Sequence, residues 1–286
     1  VGVPSRDPML PCYFLYCLPS PNQVFAPMKF ALQSFRTAAI AALLAFCATT
    51  PLSNLHAQDT ATAPAPATTK LPSPRVLHDK HIKAIGGKDA YKTIKSVVAE
   101  GTVEIKGAGI KGTLKTVEQM PNLQRVEQTF PQIGKMIQIV GKDGGYNVNP
   151  MMGNMPMTDK QFQQAKTQMA LSRNASLEDV FKSAKTTAAT DFAGGAAYEV
   201  TAISKQDETI KLYYSKDQEM LVGMSMVASS PQGDVPVTVT FKDYKKQGPI
   251  MMSMSQEAKA GPMGMDIKIT NVKFNVPVPA GSFDKP

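Results

Sequence analysis

Methionine clusters are the residues of this chain with the clearest capacity for metal chemistry. The segment 149–157 reads NPMMGNMPM, and PIMMSMSQEAKAGPMGM occupies 249–265. Thioethers are soft ligands that select Cu(I) over harder ions, and Met152 and Met155 have a Met-x-x-Met spacing. An exported Met-rich protein that binds Cu(I) is therefore one hypothesis for the function.

Other methionines favour a different interpretation. Met220, Met224 and Met226 alternate as they would on one face of a β-strand, and Met252 and Met254 show the same spacing. A thioether on an unbranched, rotatable stem suits an apolar surface that accepts varied shapes. The pattern favours the lining of a hydrophobic cavity, or ordinary core packing, over a copper site.

Histidines offer little further chemistry. His78 and His81 are three residues apart and share one face of a predicted helix, as metal-binding pairs can. Two ligands do not complete a tetrahedral site, and no third ligand is near in sequence. No cysteine follows Cys47, and no Gly-x-Ser-x-Gly nucleophile elbow occurs. The sequence predicts neither an enzyme nor a bound metal or cofactor.

The segment that begins at Met28 has the pattern of a secretory signal peptide. Lys29 and Arg36 give it a positive start, residues 38–47 form a short apolar core, and small or apolar residues precede a cut after residue 57. Export to the periplasm is therefore predicted, with residues 28–57 as the signal peptide.

The sequence on either side of this signal is interpreted separately. Residues 1–27 fit no targeting pattern. They are interpreted as the result of a start codon assigned too early, with Met28 as the true first residue. Acylation of Cys47 is not expected, because Phe46 is bulky where lipoprotein processing requires a small residue. Residues 58–73 are rich in Ala, Thr and Pro and are predicted to be a disordered tether.

The net charge of +8 is carried by scattered lysines, and the longest basic run is Lys245–Lys246. Nucleic-acid binding requires clustered charge with aromatic residues, so it is not predicted. Contact with an anionic membrane is expected to be transient at most.

The elements that must position these residues follow from the hydrophobic period. Ser73 and Pro74 predict the start of a helix that ends at Gly86–Gly87, and a short helical turn follows at 88–94. Further helices are predicted over 158–172 and 176–187. Alternating residues predict strands at 97–107, 109–119, 122–130, 135–141, 143–149, 196–204, 209–215, 219–228, 235–246, 249–259 and 263–274.

Tight turns between these strands predict an antiparallel meander, since parallel pairing would need crossover helices. A sheet of ten or eleven strands is near the limit at which open sheets curl or close. The predicted fold class is α+β: a strongly curved antiparallel sheet that forms a half-open β-barrel, covered by two to three helices, in a single domain over 74–286.

Three stretches resemble the LolA/LolB-like superfamily of outer-membrane lipoprotein-sorting proteins. They are HIKAIGGKDAYKTIKSVVAEGTVEI (81–105), GKDGGYNVNPMMG (141–153) and VKFNVPVPAGSFDKP (272–286). The resemblance implies an unclosed barrel with a helix-covered concave face that binds acyl chains, and a role as a periplasmic carrier of lipid or lipoprotein. Relatives often carry Trp in the GGYNVNP strand, and this chain has none.

Strand alternation gives the candidate cavity residues for such a carrier. They are Ile137, Ile139, Tyr146, Met152, Met155, Leu212, Tyr214, Met224, Met226, Val239, Phe241, Met252, Met254 and Ile267. The expected partners are a lipid or an acylated lipoprotein, with an envelope protein as donor or acceptor. The alternatives are the Cu(I)-binding protein and a non-catalytic subunit of an envelope complex.

Overall fold

The computed structural model describes residues 70–172, 175–230 and 233–286, and residues 71–286 belong to one compact unit. The predictions for the upstream extension (1–27), the signal peptide (28–57), Cys47 and most of the tether (58–73) lie outside the described residues.

Four helices and thirteen strands occupy the described residues. The helices are α1 Pro74–Ala84, α2 Gly87–Lys92, α3 Asp159–Ser172 and α4 Leu177–Val180. The first six strands are β1 Ser96–Lys106, β2 Ile110–Gln119, β3 Leu123–Phe130, β4 Gly134–Val140, β5 Gly145–Asn149 and β6 Gly153–Pro156. The last seven are β7 Phe181–Phe192, β8 Gly195–Ser204, β9 Thr209–Ser215, β10 Leu221–Ser230, β11 Gly233–Gln247, β12 Ile250–Ala260 and β13 Met263–Phe274.

Local signals account for the bounds of α1. Ser73 is the N-cap, its side chain accepts from the backbone N–H of Val76 at 3.4 Å, and Pro74 takes the first helical position. The helix ends where Gly86 adopts a φ of 122°, which residues with a Cβ rarely reach. A Cβ there would lie 3.0 Å from the carbonyl oxygen of Pro249. This glycine therefore lets the end of α1 approach the start of β12.

All thirteen strands form one antiparallel sheet, in the order β6-β5-β4-β3-β2-β1-β13-β12-β11-β10-β9-β8-β7. The first and last strands of the chain meet in the middle, where β1 pairs with β13 from Val97–Phe274 to Lys106–Gly264. The edge strands β6 and β7 do not pair with each other, so the curved sheet stays open. The predicted class and the half-open architecture are confirmed.

The predicted helix over 176–187 is wrong. Only Leu177–Val180 is helical, and β7 follows at Phe181 and pairs along its whole length with β8. Thr186 and Thr187 are β-branched and favour a strand, and the ladder with β8 supplies backbone hydrogen bonds that outweigh the weak helical preference of the lysine- and alanine-rich stretch. The predicted sheet had ten or eleven strands because β7 and the four-residue β6 were not predicted as strands.

The hydrophobic core lies between the sheet and the helices. Leu77 of α1, Leu171 of α3 and Leu177 of α4 pack in one cluster with strand residues such as Val103 and Leu212. A second cluster joins Val140 of β4 to α3. The helices thus cover one face of the sheet, here called the inner face; the opposite face is the outer face.

Candidate functional site

Every second residue of β1 to β4 belongs to the inner face, as strand geometry requires. The pairs of residues that lie opposite each other on the inner face of these strands include Val97–Glu118, Ala99–Thr116, Leu114–Gln128 and Val126–Gln138. The bulge at Glu100–Gly101 shifts the register of β1 against β13. The inner face continues from β1 across β13, β12 and β11. There Ile267 of β13 is opposite Gln256 of β12, and Gln256 is opposite Phe241 of β11.

A cavity of about 350 Å³ lies between this face and the helices. Its apolar lining residues are Ile85, Tyr91, Ile94, Val97, Ala99, Leu114, Met120, Val126, Met169, Leu171, Leu221, Met224, Phe241, Ile250, Met251, Met252, Ile267, Ile269 and Phe274. Its polar lining residues are His81, Thr116, Glu118, Gln124, Gln128, Gln138, Gln168, Tyr244, Ser253 and Gln256. The volume is within the range of small-molecule sites.

One part of the cavity wall is formed where α1 and α2 meet β12. Ile94, Val97 and Ile250 form a buried cluster there, and Tyr91 and Phe274 pack against it. The chain is tied at this point, because the N–H of Met251 donates to the carbonyl of Ile85 at 2.9 Å. This part of the cavity is therefore apolar.

Glutamines form a second, polar part of the wall. Gln124 donates through Nε2 to Oε1 of Glu118 at 2.8 Å, and Gln138 donates to Oδ1 of Asn147 at 3.3 Å. Gln128 is only 4% exposed, and its buried Oε1 has no hydrogen-bond partner among the described residues. An acceptor left in this state costs about 1–3 kcal/mol, so Gln128 is the least satisfied group of the cavity wall that the structure describes.

Two histidines attach α1 to neighbouring elements. His78 lies 2.9 Å from the carbonyl of Ala175 through Nε2 and 3.1 Å from the Tyr214 hydroxyl through Nδ1. Because a carbonyl only accepts, Nε2 carries the proton and Nδ1 accepts from the tyrosine. Burial lowers the pKa of His78 and raises the pKa of Tyr214. Both shifts favour the uncharged forms, and the two side chains attach α1 to β9 and to the segment before α4.

His81 makes a second buried attachment. The N–H of Leu221 donates to its Nδ1 at 3.1 Å, and burial lowers the pKa of His81 to about 3. The hydroxyl of Tyr244 donates to the carbonyl of Leu221 at 2.6 Å, and burial raises the pKa of that phenol. Both backbone groups of Leu221 are thus held by cavity-wall side chains.

Four of the residues predicted from alternation line the cavity: Met224, Phe241, Met252 and Ile267. Five others lie in the packed interior without lining it: Leu212, Tyr214, Met226, Val239 and Met254. For Leu212 and Tyr214, the reason is that α1 packs against β9. These residues share the helix-covered side of the sheet with the lining residues, and helix packing decides which of them meet the cavity.

Ile137, Ile139 and Tyr146 lie on the outer face. Ile137 and Ile139 alternate along β4 with Gln138, which faces the cavity. Tyr146 on β5 and Arg125 on β3 are both paired with Ile139. Ile139 is nevertheless fully buried, because the C-terminal segment lies nearby: Arg125 donates to the carbonyl of Ser282 at 3.3 Å.

The methionines of segment 149–157 are separated by the fold. Met151 and Met152 are 64% and 53% exposed at the β5–β6 turn, and Met155 is paired with Asn147. Met157 instead packs against the cluster of Val140, Phe162, Ala165 and Met169. Neither Met152 nor Met155 is a lining residue of the cavity.

Sequence reasoning missed the glutamines of the cavity wall. Gln124, Val126 and Gln128 alternate along β3, and the same pattern on a solvated strand would look identical. The burial of Gln128 could have been inferred from the apolar residues that alternate along β1 and β2. One of them, Leu114, lies opposite Gln128 on the face that the helices cover.

Within the described residues, no group of three or more His, Cys, Asp or Glu side chains is placed to hold a metal ion. No described helix is long and apolar enough to cross a membrane.

An open antiparallel sheet that holds a largely apolar cavity under its helices defines the class of fold. The solved structures that are similar to it include the following two. The LolA superfamily protein NE2245 from Nitrosomonas europaea superposes with a TM-score of 0.52 at 10% identity and covers 75% of this chain and 99% of that chain. A DUF1329 family protein from Desulfovibrio piger has a TM-score of 0.51 at 11% identity, over 73% and 96% of the two chains.

These similarities concern the fold, and they confirm the resemblance to the LolA superfamily at that level. No protein-family model matches the sequence, and the comparison with curated proteins gives no match.

Proposed function

We propose that this protein is an exported carrier that binds an acyl chain of a lipid or of a lipoprotein between the inner face and the helices. The observation that supports the proposal is the cavity of about 350 Å³ with its mostly apolar lining. This volume corresponds to roughly a dozen groups of the size of a water molecule or a methylene. It therefore suits one chain of medium length, or part of a longer one.

The expected affinity suits reversible transport. Burial of each methylene contributes about 0.8 kcal/mol, so ten of them contribute roughly 8 kcal/mol before the cost of ordering the chain is subtracted. A net affinity below this gross value lets the ligand leave when an acceptor offers an equally apolar environment.

We assign the acyl contacts to the four predicted residues that line the cavity: Met224, Phe241, Met252 and Ile267. The two methionines suit this role because their side chains adapt to chains of different length or branching. The outer-face residues Ile137, Ile139 and Tyr146 are not included in the proposed site, and neither are the exposed methionines of the β5–β6 turn.

Helix α2 is the part of the wall that we expect to move when ligand enters. It spans six residues, none of them buried, and its N-cap Gly86 provides no side-chain hydrogen bond. In contrast, α1 is held by the buried contacts of His78 and His81. Local opening favours segments with few buried contacts, so we expect α2 to separate from β12 more readily than α1 separates from the sheet.

The cellular setting follows from the predicted signal peptide. Cleavage after residue 57 would release the protein into the periplasm, where it would contact membranes transiently and receive or deliver its cargo through an envelope partner. Proteins with this role need no catalytic group of their own.

Native mass spectrometry of protein purified without organic extraction tests the proposal. We expect an added mass that disappears after extraction and is recovered as lipid, and we expect the emptied protein to enhance the fluorescence of the neutral probe N-phenylnaphthylamine. A protein that carries no lipid and does not bind the probe would contradict the carrier function.

A further inference from the structure

The polar part of the cavity wall indicates which ligands the cavity takes. Gln128 is buried at the inner face, opposite Leu114 on β2 and Met136 on β4. In the part of the chain that the structure describes, its Oε1 has no hydrogen-bond partner, whereas the neighbouring amide of Gln138 donates to Asn147. Buried acceptors are almost always paired in folded proteins. The Oε1 atom itself is enclosed, but Gln128 lines the cavity, so a turn of its side-chain amide would present the unpaired acceptor to a ligand.

The charge of the lining restricts that partner further. No lysine or arginine is among the lining residues that the structure describes. The histidine of the lining, His81, is neutral because burial keeps its pKa low. Glu118 adds a carboxylate that accepts from Gln124. Burial of an anionic headgroup without a compensating cation is strongly unfavourable.

We infer that the cavity selects an uncharged long-chain lipid with a hydroxyl headgroup, which hydrogen-bonds to the side-chain amide of Gln128, over fatty acids and phospholipids. A hydroxyl both donates and accepts, so it matches the amide in either orientation of the side chain. Monoacylglycerols, diacylglycerols and long-chain alcohols share this chemistry. The inference rests on the proposed carrier function and specifies its ligand class.

Displacement of N-phenylnaphthylamine by lipids with the same chain tests this selectivity. The ligands are glycerol monolaurate, dodecanol, methyl laurate and laurate, each below its limit of solubility or aggregation at neutral pH. We expect glycerol monolaurate and dodecanol to displace the probe at roughly tenfold lower concentration than laurate or methyl laurate, the difference of about one net hydrogen bond. Equal potency of the two hydroxyl ligands identifies a single hydroxyl as the recognised group, whereas greater potency of the monolaurate identifies the glycerol; both results support the inference.

The variant Gln128→Leu should abolish the preference for hydroxyl ligands while the probe still binds. The matched control is Gln206→Leu, because Gln206 also has a buried, unpaired Oε1 but does not line the cavity. Removal of an unpaired acceptor does not threaten the fold, and circular dichroism verifies both variants.

The outcomes separate the two levels of the proposal. If laurate or methyl laurate competes as well as the monolaurate in the wild-type protein, the carrier function stands and the ligand class is overturned. The same holds if the preference persists in Gln128→Leu. If neither the probe nor any lipid binds, both proposals fail.

Discussion

His81 on α1 and Leu221 on β10 are joined by a buried hydrogen bond, in which the Leu221 N–H donates to Nδ1 over 3.1 Å. The bond exists only while Nδ1 is unprotonated. Desolvation, with a smaller effect of His78, lowers the pKa of His81 to about 3, so the ring is neutral in the folded protein. One wall of the cavity is therefore attached to the sheet through a neutral imidazole.

This attachment predicts that stability falls as the pH decreases below about 6.5. In the unfolded chain the histidine takes up a proton near pH 6.5, whereas in the folded protein it does so near 3. The unfolded state therefore binds more protons between these values and is favoured there. His81 should contribute a loss of about 2 kcal/mol at pH 5 relative to neutral pH, and His78, whose pKa is also lowered, acts in the same direction.

Urea unfolding at several pH values measures this loss. The variant His81→Gln keeps an acceptor for the Leu221 N–H but does not titrate, so its stability should depend less on pH than that of the wild type. An unchanged pH profile in the variant would rule out His81 as the source.

The substitution Gly86→Ala should destabilise the protein by about 1–3 kcal/mol. Gly86 has a φ of 122°, and its Cβ would lie 3.0 Å from the Pro249 carbonyl oxygen. Gly107→Ala is the control, since Gly107 also has a positive φ, 84°, but has open space around it. Chemical denaturation should show a larger loss for Gly86→Ala, and equal losses would mean that the contact with Pro249 has no effect.

The substitution Ala99→Phe should fill the cavity without disturbing the outer face. Ala99 is buried on β1, faces the cavity and is opposite Thr116. We expect the affinity for N-phenylnaphthylamine to decrease by roughly tenfold or more, about 1.4 kcal/mol, when the ring occupies the space of the ligand. Ala189→Phe on the exposed side of β7 is the matched control. Binding that survives in Ala99→Phe would locate the ligand elsewhere.

The substitution Ile139→Ala should lower stability but leave ligand affinity unchanged. Ile139 is fully buried on the outer face, where loss of an isoleucine side chain costs about 2–5 kcal/mol. The half-buried Ile137 provides a milder comparison on the same face. Thermal unfolding and a probe titration are the measurements, and a lower affinity in Ile139→Ala would return this residue to the candidate site.

Much of the fold could be predicted from the sequence because the signals were local. Ser73–Pro74 and Gly86–Gly87 mark the ends of α1, and the alternation of Met263–Phe274 marks β13. The stretch after Val180 has no such signal, since lysine, alanine and threonine are found in helices and in strands. There the pairing of β7 with β8 decides the structure, and this interaction is not local.

The candidate site was less predictable. Alternation shows that Ile137 and Ile139 share a face, but only the complete sheet shows that the C-terminal segment, rather than a cavity, lies nearby. In the same way, Gln128 on a strand resembles a solvated residue until α3 and the neighbouring strands enclose it.

The open sheet also has a consequence for association with other chains. Among the described strands, β6 and β7 each have one edge without a strand partner, and free edges tend to recruit strands from neighbouring molecules. The β6 edge is four residues long and ends in Pro156, which lacks a backbone donor. The longer β7 edge has two breaks in register, and its Thr186 hydroxyl donates to the carbonyl of Pro72. These features oppose the addition of a further strand at either edge, so we expect the open sheet to resist edge-to-edge association.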